Sequence, residues 1–271
     1  MRAPLALGAL LASFLIAGVD RSALAESPCG DTPGPPDAEI ARHQGPGVVQ
    51  AFFTDATERY AHGVLGDAIE AGGLRVLGGE GGVTLGGPVG CSFLVSLPQD
   101  RVFEDVTPRI ADVTGDGISE AIVIESGAND GAQLAIYGFV GNRFSKIAAT
   151  PPIGTRFRWL APAAIADFDG DGVDDVAYVE TPHIGGILRI WSFAGGEARQ
   201  IAARAGYSNH RIGENFISGG LRDCGKGPEI VLPDRGWRTT RIARLGPDGI
   251  EDMLFATDTR PETLRAALEC P

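Results

Sequence analysis

The stretch Asp167-Phe168-Asp169-Gly170-Asp171-Gly172-Val173-Asp174-Asp175 places carboxylates at alternate positions of a segment too rich in glycine for a helix or an unbroken strand. Its chemistry is that of a calcium loop. Asp167, Asp169 and Asp171 offer side-chain oxygens at alternate places, Val173 a backbone carbonyl, and Asp175 the closing carboxylate. Gly172 permits the sharp turn. A hard cation that collects about six to eight oxygens in flexible geometry suits this set, and a random acidic turn lacks its spacing.

A loop of this kind needs two strands to hold its ends, and the sequence supplies them more than once. Asp112-Val113-Thr114-Gly115-Asp116-Gly117-Ile118-Ser119-Glu120 repeats the pattern, with Thr114 in place of the second acid and Glu120 in place of the last. Asp112, Thr114, Asp116, the Ile118 carbonyl and Glu120 are its candidate ligands. Short runs flank both loops: Pro108 to Ala111 and Ala163 to Ala166 before them, Ala121 to Ile124 and Val176 to Val179 after. Gln133 to Phe139 then matches Ile187 to Phe193, each run ending near a glycine turn and followed by a fourth apolar run. Each unit therefore predicts a four-stranded meander with its calcium loop between the first and second strands.

The frame continues over Ile217 to Leu245, where Arg222-Asp223-Cys224-Gly225-Lys226-Gly227 has lost the alternating acids. That loop is expected to hold no metal, with Lys226 supplying the positive charge. A weaker copy begins near Arg59 to Asp67, with Glu70 in the place of Glu120 and strands over Gly73 to Leu77, Val83 to Gly86 and Phe93 to Leu97. A lone four-stranded antiparallel sheet cannot bury both faces, and sheets stacked around an axis solve that. The expectation is an all-β chain, a β-propeller of about four four-stranded antiparallel blades in residues 49–271. Its units fall at 50–104, 105–159, 160–214 and 215–271. A fifth blade completed by Val48 to Thr54 and a linear β-solenoid are the alternatives.

Residues 1–25 carry Arg2, an apolar run from Leu5 to Val19 and Ala23-Leu24-Ala25, the pattern of a signal peptide with a small-x-small cleavage site. The apolar run is short for a membrane span. A periplasmic or secreted product with no membrane span is expected, its mature part opening on a proline-rich lead-in over 26–48. The chain carries a formal charge of −12. Such acidity opposes nucleic acid and favours divalent cations. Export makes disulfides the expected state of Cys29, Cys91, Cys224 and Cys270. Cys224–Cys270 with Cys29–Cys91 is the pairing expected, as a tether closing the ring, and Cys29–Cys270 is the alternative.

With four strands per unit and Asp-x-Asp-x-Asp-Gly-x-x-Asp between the first two, the chain resembles the FG-GAP or VCBS-type repeats of integrin α-subunit propellers and exported bacterial proteins. The resemblance covers roughly 50–260 and implies a propeller and bound Ca2+, with little said about the ligand.

Arg101, Arg156 and His210 share one place in the repeat frame, on connections that cross a propeller face toward its axis. With His62, Trp159 and Arg211 they form a candidate ligand face for an unknown protein or glycan. Inter-blade bracing is the plainer role for the same residues. No catalytic motif is apparent: Gly220 to Lys226 begins like a P-loop, but Gly227-Pro228 follow where Ser or Thr and a helix belong. A monomeric, calcium-stabilised binding or scaffold module is thus expected. An exported hydrolase or lyase using the axial face is the other reading.

Overall fold

The computed structural model describes residues 39–78, 92–141 and 143–270. The signal peptide, most of the lead-in, the strand expected at Val83 to Gly86 and the Cys29–Cys91 pairing lie outside the described residues. The described residues are all-β apart from a C-terminal helix and a short 3-10 turn.

Four antiparallel meanders follow one another. The first comprises β1 (Ala41–Arg42), β2 (Val48–Thr57), β3 (Glu70–Gly78) and β4 (Ser92–Ser96). The second comprises β6 (Arg109–Ala111), β7 (Glu120–Gly127), β8 (Gly131–Val140) and β9 (Arg143–Ala149). The third runs through β10 (Leu160–Ala166), β11 (Asp175–Glu180), β12 (Ile187–Ser192) and β13 (Arg199–Ala205). The fourth runs through β14 (Gly220–Asp223), β15 (Pro228–Pro233), β16 (Thr240–Gly246) and β17 (Gly249–Ala256). Between the first two meanders, β5 (Arg101–Phe103) pairs with both β3 and β7 and joins them into one sheet. Antiparallel pairing between all the described strands is the opposite of a parallel β-solenoid.

Alternation along the strands explains the stacking, because successive side chains leave opposite faces. Ala121 and Val123 of β7 meet Val48, Leu74 and Val76 of the first sheet. Ile122 and Ile124, from the other face of β7, meet Leu160, Val176 and Tyr178. Ala177 and Val179 of β11 then pack with Ile230 and Leu232 of β15. The remaining face of the fourth sheet is covered by α1 (Pro261–Leu268), whose Leu264 and Ala267 pack on Val231 and Ile242.

Two expectations are corrected here. The first unit is out of phase: β1 and β2 flank the short turn at 43–47, so 58–69 is the turn between second and third strands rather than a copy of the calcium loop. The error came from anchoring on Glu70, whose match to Glu120 is one of residue type and not of place. The lead-in also contributes a strand, β1, before residue 49. The second correction concerns Cys224–Cys270, which forms as expected but within the last unit. It fastens the end of α1 to the loop after β14 and does not join first to last units. A backbone bond from Gly213 N to Val64 O at 2.9 Å links the connection before β14 to the turn between β2 and β3.

Candidate functional site

The meander order sends the loops after β6, β10 and β14 to one end of the strands. It sends the turns after β7, β11 and β15, with the connections between sheets, to the other end.

At the first end, each of three second strands opens with a buried carboxylate opposite the close of the strand before it. The pairs are Ala111 with Glu120, Ala166 with Asp175 and Arg222 with Glu229. All three acids are buried. In the 167–175 loop, one atom each from Asp167, Asp169 and Asp175 lies within 4.8 Å of the others. Asp167 is locked by Gly170 N at 2.7 Å and Gly172 N at 2.9 Å, and the φ of +90° at Gly172 is the left-handed turn expected of it. Asp175 Oδ2 accepts from Phe168 N at 3.1 Å, while its Oδ1 is buried with no hydrogen-bond partner. Asp171 stands outside the tight cluster, its Oδ1 accepting from Val173 N at 2.9 Å. Burial, and then the charge of Asp169, raises Asp175 to about 7.

The 112–120 loop gathers Asp112, Asp116 and Glu120 within the same distance. Thr114 Oγ1 donates to Glu120 Oε1 at 3.1 Å, and Ile118 N donates to Asp116 Oδ1 at 2.8 Å. Burial raises Glu120 to about 7. The two loops are neighbours: a side chain at Gly115 would meet Val173 Cγ2 at 2.7 Å. Burial and the carboxylates of Asp167 and Asp112 together raise Asp174. An all-oxygen donor set, mutual repulsion between carboxylates and an orphaned buried oxygen fit a hard divalent cation.

The third loop differs in length and charge. Seven positions separate Arg222 from Glu229, against nine from Ala166 to Asp175. Arg222 Nε and Nη2 meet Glu229 Oε2 at 2.8 and 2.6 Å, and Nη1 donates to Ala267 O at 2.8 Å. Arg222, not the exposed Lys226, supplies the positive charge. It was missed because it lies inside the strand and not in the loop proper.

The other end holds the residues expected on a ligand face, but not as one open pocket. Arg101 is tied to Asp130. Arg156 lies over Phe157 at 4.5 Å and Tyr60 at 5.7 Å. Trp159 is buried, its Nε1 donating to Glu104 O at 2.8 Å. His210 is fully buried. Its Nε2 donates to Glu214 O at 2.8 Å, so Nδ1 accepts from His183 Nε2 at 2.9 Å. Burial lowers both imidazoles, His183 to about 4 with help from His210 and His62. Bracing is therefore what Arg101, Trp159 and His210 do. His62 is different: its Nδ1 lies 2.5 Å from Oε1 of the fully buried Glu104, whose other oxygen accepts from Ser126 Oγ. Arg211 lies 3.9 Å over the Trp237 ring beside an open cavity of about 550 Å³. Glu104, Arg222 and Trp237 were not singled out as site residues from sequence. The first is distant from His62 along the chain, and the last lies in the turn between two strands, with no local signal of a site.

Comparison with known proteins matches residues 112–178 to the FG-GAP-like repeat, a span holding both acidic loops and the strands between them. No curated protein matches the chain. Among solved structures, rhamnogalacturonan lyase YesW is similar at 12% identity and TM-score 0.42, covering 87% of this chain and 53% of that one. The exotype rhamnogalacturonan lyase YesX is similar at 11% identity and TM-score 0.42, covering 87% and 51%. The chain thus spans about half the length of each.

Proposed function

We propose that this FG-GAP-type repeat protein is an exported, calcium-stabilised module of β-propeller type that binds its ligand at the end opposite the acidic loops. The observation that carries the reading is Asp175: a fully buried carboxylate whose Oδ1 has no partner, facing the oxygens of Asp167 and Asp169. Asp167, Asp169 and Asp175 would hold one ion, and Asp112, Asp116 and Glu120 a second, with Asp171, Thr114 and the carbonyls of Val173 and Ile118 as further oxygens. Calcium would supply charge neutralisation there and no reaction chemistry. At a free concentration about a hundredfold above Kd, one such site adds about 2.7 kcal/mol to stability. Calcium should therefore raise Tm, and Asp167→Ala with Asp171→Ala should remove most of the gain. An unchanged Tm under strong chelation would overturn the reading.

A second reading, an exported hydrolase or lyase on the ligand end, is favoured by His62. Glu104 fixes the imidazole through Nδ1, the arrangement in which a carboxylate orients a general base, and His62 is partly exposed. Nearby Glu70 is raised to about 9 by burial and the charge of Glu104, so it keeps a proton at neutral pH as a general acid must. Turnover on a panel of glycans and phosphoesters, lost in a folded His62→Gln variant, would establish it. No turnover on any of them leaves the binding module.

A further inference from the structure

The cavity beside Trp237 is out of character with the rest of the surface. The chain carries −12, yet Arg211, Arg238 and Arg260 line the cavity with Asp258 as the one acid among its lining residues, their other ion-pair partners, Glu214, Asp234 and Glu262, standing outside that lining. Its volume of about 550 Å³ suits a ligand of one or two sugar rings. We propose that this cavity binds an anionic saccharide, a sugar ring packed on the Trp237–Arg211 wall with its carboxylate held by Arg238 and Arg260. The inference rests on the binding-module reading and names the ligand class of its ligand end.

The wall is built and held. Trp237 has a φ of +54°, a left-handed conformation that a bulky side chain adopts only when its surroundings impose it. They do so through four hydrogen bonds. Trp237 N donates to Asp234 O at 2.8 Å, Thr259 Oγ1 donates to Trp237 O at 3.1 Å, and the indole Nε1 donates to Ser208 Oγ at 3.1 Å. Asp234 Oδ1 accepts from Arg238 N at 2.6 Å, which closes the turn around the ring. The Arg211 guanidinium, 3.9 Å from the ring centroid, turns that wall into one both apolar and positive. A sugar ring has the matching chemistry, with C–H groups for the aromatic surface and hydroxyls for its rim.

The anion specificity comes from the other two arginines. The Arg238 side chain is 83% exposed and only 3.9 Å from Asp234, whose carboxylate is already engaged by the backbone N–H groups of Arg238 and Thr239. Arg260 reaches Asp258 at 3.2 Å and Glu262 at 3.4 Å, while Asp258 also accepts from Thr263 Oγ1 at 2.6 Å. Arg260 thus holds Asp258 in a fork through Nε and Nη2, and only the N–H groups of Nη1 and Nη2 not spent on Asp258 and Glu262 are left for a carboxylate.

Three probes that share a ring isolate the charge: methyl glucuronide, methyl glucoside and glucose 6-phosphate, titrated by NMR and by calorimetry into the calcium-loaded protein. The glucuronide should bind at least about tenfold tighter than the glucoside, and lose about tenfold in Arg238→Gln and in Arg260→Gln. Trp237→Asn, which tolerates the left-handed backbone while removing the ring, should weaken glucuronide and glucoside alike. Equal binding of the first two probes, or no saturation at about 20 mM of any, would overturn the proposal. So would tighter binding of glucose 6-phosphate that free phosphate displaces, which marks a phosphate site. Calcium-dependent Tm in the same variants separates the two claims. Retained calcium stabilisation with no saccharide binding removes only this inference, and saccharide binding without calcium stabilisation removes only the metal.

Discussion

Arg222→Met tests how the third acidic position is satisfied. Both partners of its pair are buried, the side chains of Arg222 and Glu229 being 9% and 2% exposed. Removing the guanidinium strands Glu229 without a counter-charge, which costs about 3–5 kcal/mol when a buried pair is broken from one side. Arg222 also donates to Ala267 O, so the loss adds an unfilled carbonyl at the end of α1. At about 2–4 °C per kcal/mol for a chain of this size, Tm should fall by roughly 6–20 °C. The double variant Arg222→Met/Glu229→Met removes both charges and should regain more than about 1 kcal/mol over the additive expectation, though not all, because Ala267 O stays unpaired. Thermal and urea unfolding followed by circular dichroism, with calcium and with chelator, give the four corners of the cycle. The Arg222 loss should be the same in both solutions, since that loop carries its cation covalently. A loss under about 1 kcal/mol, an additive cycle, or a loss that vanishes under chelation would refute the argument that Arg222 takes the place proposed for a metal in the other two loops.

Glu70 gives a pH test. Its folded carboxyl is raised from 4.5 to about 9, by burial first and then by Glu104 and Asp67, so the folded state holds a proton that the unfolded chain releases. The contribution is fully favourable below about 4.5 and is lost progressively as pH rises toward about 9. Glu70→Gln should therefore raise Tm at pH 8 and leave it nearly unchanged at pH 4, and equal shifts at both would contradict the assignment. The Cys224–Cys270 bond spans 46 positions, for which loop-closure entropy gives about 4 kcal/mol. Cys224→Ser with Cys270→Ser should lose up to that amount while keeping the calcium response, and a lost calcium response would show that the loops are not independent. Ile124→Ala, at a fully buried position between the second and third sheets, should cost about 2–5 kcal/mol in urea unfolding, and a cost under about 1 kcal/mol would deny that those sheets share a core.

What the sequence disclosed, and what it hid, follows from the range of the forces involved. The acidic loops of the second and third units were legible because a hard cation needs oxygens at fixed spacing along one short segment, and the match to the FG-GAP-like repeat spans both loops. Strand alternation was legible for the same local reason, so β6 to β16 fall near the apolar runs of the sequence, while β17 and α1 were not foreseen. The first unit was misphased because nothing local marks its short turn at 43–47, and a lone acid, Glu70, offered a false anchor. Glu70 sits at the opposite end of its strand pair from the metal-type acids and keeps its charge off by holding a proton. Four of the buried acids thus differ in what offsets their burial: an oxygen cluster suited to a cation at Glu120 and Asp175, Arg222 at Glu229, and at Glu70 a burial that favours the neutral carboxyl. Only the first has a sequence signature, because only there do the partners lie on the same loop. Arg222 faces Glu229 through strand register, and Glu104 reaches His62 across 42 positions, so both became visible only once the sheets were paired. The same holds for the cavity. Arg211, Trp237 and Arg260 come from three separate connections, and the strands that bring those connections to one end also send the acidic loops to the other. A carboxylate-rich end that would take cations and an arginine-lined end that would take anions are therefore consequences of a single strand order.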